Sequence, residues 1–133
     1  NIPVDILCQY YEAAISAIRR AGMGPDRVAV VVPVFNQHRL PDILNYWQEH
    51  GNFFKYDNVA FDLHYYHNFD PFWKLLSQEQ HLEVVHGHAR ELATLPGALV
   101  GEWSCSRPMK ASDEEFRDFA THQVLGYNHS THG

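Results

Sequence analysis

Residues 58–66 read NVAFDLHYY. In an extended chain successive side chains point to opposite sides. Phe61, Leu63 and Tyr65 therefore share one side of this stretch, and Asp62, His64 and Tyr66 share the other. The first row is apolar and suits packing under helices. The second is polar and aromatic, and it runs toward the carboxyl end of the strand. A lone histidine here would read most simply as a hydrogen-bonded core residue, and Tyr66 as a half-buried ring. Three such groups in one row point instead to a site.

Working outward, Arg27 to Val34 (RVAVVVPV) is a continuous apolar run, as expected of a strand covered on both faces. Ala98 to Trp103 (ALVGEW) reads as a third strand. Helical spacing fills the intervals. Ile6, Leu7, Tyr10, Tyr11, Ala14, Ile15 and Ile18 recur on one face, with Asp5 the expected N-cap and Gly22 the stop. Pro41 opens a short helix over DILNYWQEH. Ser77 with Gln80 is a capping-box pair for a helix reaching Leu95, and Ser112 with Glu115 another for a helix running to about Gly126.

The expected order is α-β-α-β-α-β-α, which implies parallel strands and right-handed crossovers. The loops after the strands, NQHR, HNFDPFW and SCSRP, are rich in polar and aromatic residues. Ligands in such folds bind at the carboxyl ends of the strands. A complete (β/α)8 barrel needs about 250 residues. The fold class expected is therefore α/β, as a partial (β/α)8 TIM barrel, with the 133 residues forming one fragment of a single larger barrel domain.

Composition narrows the function. Ten Lys and Arg stand against 16 Asp and Glu, a formal charge of −6, which argues against a general affinity for nucleic acid. No apolar run approaches the roughly 20 residues of a membrane span. The chain opens at Asn1 without a recognisable signal peptide and without Met, so the expectation is that its true start lies upstream. Cys8 and Cys105 are too few for a disulfide framework, and one bridge or two thiols are both open. Ten His and an aromatic content of 14% are high, and they hint at a polar, aromatic-lined site.

Glu102 stands at the end of an apolar strand, where a carboxylate is costly to bury unless it is paired or used. Gly101 permits close approach, and Trp103 offers a stacking surface.

GEWS at 101–104, with DLHYYHNF at 62–69 one strand earlier, resembles the fungal and oomycete type of exo-β-1,3-glucanase in glycoside hydrolase family five. YNHSTHG at 127–133 is similar to the end of the helix leading into that family's last strand. The resemblance covers essentially the whole chain and corresponds to barrel strands five to seven with flanking helices. It implies a retaining glycosidase acting on β-glucan, with Glu102 as nucleophile. Tyr66 matches a tyrosine that orients the nucleophile, His64 a histidine lining the sugar subsite, and Phe69 an aromatic at the mouth. Trp103 and Trp73 are further candidates for sugar stacking. The resemblance implies no metal, no cofactor and a monomer.

One part of the pattern is missing. The family's acid/base is the Glu of an Asn-Glu-Pro motif, and Asn1-Ile2-Pro3 carries Ile in that place. The acid/base is expected outside these residues, so the fragment alone is expected to be inactive. Glu12, Glu49 and Glu79 sit at helical positions and read as solvated. Other β-glucan linkages, such as β-1,6, endo action and a non-catalytic glucan-binding homologue are the alternatives.

Rival chemistries fare worse. His64, His67, His81, His86 and His88 lie close in sequence, but His86 and His88 diverge around a helix, and no zinc spacing is present, so those on the helix read as surface histidines. A Gly-x-Ser-x-Gly elbow and a Gly-rich phosphate loop are both missing. Asn128-His129-Ser130 is an N-glycosylation triplet, in keeping with a secreted or cell-wall location.

Overall fold

The computed structural model describes residues 2–108 and 110–130, with side chains through 128. Helix α1 (Val4–Arg20) leads into strand β1 (Val30–Val34). Helix α2 (Leu40–Glu49) and a single turn, α3 (Asn52–Lys55), precede β2 (Val59–Tyr65). Then follow α4 (Gln78–Leu92), β3 (Ala98–Trp103) and α5 (Asp113–Ser130). The protein is mixed α/β, with a small parallel sheet in the order β1-β2-β3. Val30 to Val34 pair with Val59 to Leu63 in parallel register. Among the described residues no helix is long and apolar enough to cross a membrane.

Two compact units divide the chain, residues 1–63 and 64–133. In the first, α1 buries Cys8, Tyr11 and Ile15, and α2 buries Leu40, Ile43 and Trp47. Val30, Val32 and Val34 of β1 and Phe61 and Leu63 of β2 complete this core. The Trp47 ring meets Phe61 edge-on at 5.2 Å. Tyr11 donates to the Pro33 carbonyl at 2.6 Å, which ties α1 to β1. Arg19 donates to the carbonyls of Val28 and Asp57, at 2.8 and 2.9 Å, bracing the entries to both strands.

Four expectations change here. The N-cap of α1 is Pro3, and Asp5 lies in the first turn, where its charge complements the helix dipole. Strand β1 starts at Val30, because the amides of Arg27 and Val28 turn back onto the Gly24 carbonyl. Val31 is 45% exposed, so β1 is covered on one face only. Glu12 is drawn in rather than solvated. Its carboxylate accepts from Tyr46 at 3.0 Å, Lys55 at 3.1 Å and Tyr56 at 3.3 Å. Partial burial pushes its carboxyl up, but hydrogen bonds from Lys55, Asn52 and Tyr46 and the Lys55 charge outweigh it and hold the group below the usual range. Gly22 does end α1, with a φ of +87° that a side chain would resist.

The second unit packs α4 against α5. Gly126 is the close approach: a Cβ there would stand 3.4 Å from the Ala89 Cβ. Both capping boxes form. Ser77 Oγ accepts from the Gln80 amide, and Gln80 Oε1 accepts from the Ser77 amide at 2.8 Å. Glu115 and Ser112 exchange the same pair of bonds. Ser77→Ala is expected to cost about 1 kcal/mol. Urea unfolding checks this, and an unchanged midpoint would show that the cap adds nothing. Helix α5 runs past Gly126 to Ser130, so the backbone of the glycosylation triplet is helical. The side chains of His129 and Ser130, all of 131–133, and Asn1 lie outside the described residues.

Candidate active site

Alternation along β2 is as the pattern requires. Phe61, Leu63 and Tyr65 are fully buried, while Asp62, His64 and Tyr66 are half-buried on the other side. Within the second unit the end of β2 and the end of β3 bring three predicted groups together. Tyr66 Oη donates to Glu102 Oε2 at 2.6 Å. His64 Nδ1 lies 3.4 Å from the same oxygen. The His64 side chain is 10% exposed and that of Glu102 55%, so a carboxylate open to solvent rests on a largely sheltered ring. The bond to the Glu102 carboxylate holds the Tyr66 hydroxyl above its ordinary value and keeps it a donor.

Both contacts fall on Oε2, so one oxygen of the carboxylate is held in place. Phe69 follows Tyr66 in the next loop, with its ring 5.1 Å away at 64° and 79% exposed. It offers an open aromatic surface beside Tyr66. Asp70 caps the turn after it by accepting from the Phe72 amide at 2.8 Å, which fixes the loop's exit.

The two tryptophans part company. Trp103 is 38% exposed and meets Tyr127 edge-on at 6.5 Å, leaving ring surface for a ligand. Trp73 is 5% exposed and stacks on His67 at 4.2 Å. It packs the core of the second unit and has no open face for a sugar. The loop after β3 lines a broad hollow of about 500 Å³ with Ser104, Cys105, Ser106, Arg107 and Ala111, joined by Phe116 of α5. Arg107 lies over the Phe119 ring at 4.5 Å and also donates to Gln78 and Glu115. Both cysteines are free thiols.

Histidines on α4 are not all on the surface, as their sequence suggests. His86 is exposed, but His81 is fully buried and His88 is 8% exposed. His67 and His81 meet through their Nδ1 atoms at 2.9 Å. His88 stacks on Tyr65 at 3.9 Å, and Tyr65 donates to Glu91 at 3.1 Å. Burial, reinforced by His88, His81 and Arg107, pushes the His67 imidazole down to about 3. Burial also lowers His81 and raises the Glu91 carboxyl. Helical periodicity is the signal that was available: 81, 85, 88 and 92 recur on one face. Among the described residues no group of three or more His, Cys, Asp or Glu is arranged to hold a metal ion.

Comparison with protein-family models, with curated proteins and with solved structures returns no match for this chain.

Proposed function

We propose that this chain is the nucleophile-bearing part of a retaining β-glucan glycosidase, folded as strands five to seven of a (β/α)8 barrel. The observation that carries the reading is the Tyr66–Glu102 hydrogen bond of 2.6 Å at the carboxyl ends of neighbouring strands. Phe69 and Trp103 supply aromatic surface of the kind sugars stack on, and His64 flanks the carboxylate. The substrate class is β-1,3-glucan, attacked from its end, by a secreted enzyme.

The chemistry runs in two displacements. Glu102 Oε1 attacks the anomeric carbon, and the bond to the glycosidic oxygen breaks with its electron pair leaving on that oxygen. A second carboxyl, supplied from beyond these residues, protonates the leaving oxygen. That group then takes a proton from water, whose oxygen displaces Glu102 and frees the sugar. Tyr66 and His64 hold Oε2 through both steps, so the attacking oxygen keeps its aim.

A 2-deoxy-2-fluoroglucoside with an activated leaving group tests the reading, because such a group departs without proton assistance. Incubated with the protein that carries this chain, it is expected to leave one fluoroglucosyl mass on Glu102 by peptide mapping. Glucan binding without that label would make the protein a non-catalytic glucan binder.

A further inference from the structure

Away from the carboxylate site, α4 and α5 bring together two histidines 36 positions apart. His86 Nε2 and His122 Nδ1 face one another at 2.9 Å. The other nitrogen of each ring faces an acid. His122 Nε2 lies 3.4 Å from Asp118 Oδ1, one helical turn away. His86 Nδ1 lies 4.0 Å from Glu83 Oε2. These carboxylates are held in their turn. Arg90 donates to Glu83 Oε1 at 2.9 Å, and Gln78 donates to Asp118 Oδ2 at 3.4 Å.

An ionised carboxylate only accepts, so it favours N–H on the ring nitrogen facing it. At His122 that choice leaves a lone pair on Nδ1, facing His86 Nε2; at His86, where Glu83 stands 4.0 Å off, the tautomer with its proton on Nδ1 turns a second lone pair to the same gap. The 2.9 Å contact is a hydrogen bond when one ring carries its proton there, and a cation can take that proton's place when both rings turn lone pairs to the gap. A carboxylate behind each imidazole is the outer layer that orients histidine ligands and raises their basicity.

We propose that His86 and His122 form a two-imidazole site for a borderline divalent cation of the zinc type, with water completing the coordination. Two nitrogens at roughly 2.0–2.1 Å from one tetrahedral ion stand about 3.3 Å apart. The rings therefore open by about 0.4 Å to take the ion. Their side chains are 45% and 37% exposed, so nothing in the core resists that movement. Imidazole donors favour zinc, nickel and copper over magnesium or calcium. An ion held this way staples α4 to α5.

Titration calorimetry of the full chain with zinc chloride, in a buffer that does not chelate, tests the site. One zinc is expected to bind, and the same titration with magnesium chloride is expected to show none. His86→Ala and His122→Ala are each expected to weaken zinc binding at least about tenfold. Thermal unfolding is expected to shift upward with zinc in the native chain and not in either variant. Circular dichroism of the exposed-site variants checks that the helices persist. Zinc affinity unchanged in both variants, or no zinc binding by the native chain, would overturn the proposal and leave the pair as a shared-proton contact.

Discussion

Glu102→Gln is expected to abolish fluoroglucosyl labelling and to lower glucan turnover by about 10⁴-fold or more, the scale on which loss of a covalent nucleophile acts. The amide keeps the shape of the side chain and accepts from Tyr66 through its oxygen, so the packing survives. Its neutral oxygen is a far weaker nucleophile toward an anomeric carbon. Tyr66→Phe makes the informative contrast. It removes one donor from Oε2 and leaves the carboxylate in place, with His64 still 3.4 Å from that oxygen. Labelling is then expected to persist but to slow by about 10²–10³-fold, the cost of losing one preorganised hydrogen bond at a reacting group. Equal labelling by the native protein and by Glu102→Gln would remove Glu102 from the chemistry. Rates measured by mass spectrometry over time separate the two variants.

The second large effect is acid lability of residues 64–133. The His67 imidazole is held down to about 3 by burial and by its neighbours, against an ordinary value near 6.5. A folded state that refuses protons accepted by the unfolded chain has its full stability above the unfolded value. It loses that stability as pH falls from about 6.5 toward about 3. Each such histidine costs on the order of 1.4 kcal/mol per pH unit in that range. From pH 7 to 5, His67 therefore accounts for about 2 kcal/mol, a large share of the stability of an ordinary domain. His81 is lowered by burial and acts with the same sign. Glu91, whose carboxyl burial raises, acts the other way, since its folded form takes up a proton first.

Urea unfolding at pH 7 and pH 5 measures the loss. His67→Phe keeps an aromatic ring against Trp73 and Phe119 and cannot titrate. The difference between the two pH values is expected to shrink by about 2 kcal/mol in that variant. A loss of the same size in both chains would refute the assignment. So would a His67 resonance that titrates near 6.5 in the folded protein, a measurement that does not depend on the variant folding.

These predictions draw on different parts of the sequence. The strand at 59–65 and its two faces were legible because period-two alternation is imposed by the backbone and needs no partner. The capping boxes at Ser77 and Ser112 were legible for the same reason, since each closes within four residues. Tyr66 and Glu102 were singled out as strand-end polar groups. Their hydrogen bond, spanning 36 positions, is a product of strand order.

Other features depend on which side of an element meets another. Trp73 reads as a sugar platform in its loop, and packing turns it into a core ring against His67. His81 and His88 read as surface residues, and the rotation of α4 buries both while leaving His86 outside. Glu12 reads as solvated until Tyr46, Lys55 and Tyr56 converge on it. The His86–His122 pair has no local signature, because its two members meet only through the packing of α4 on α5. Local periodicity and capping follow from backbone geometry and are written residue by residue. Burial, charge pairing and long-range contacts depend on how whole elements are oriented, which only the tertiary structure decides.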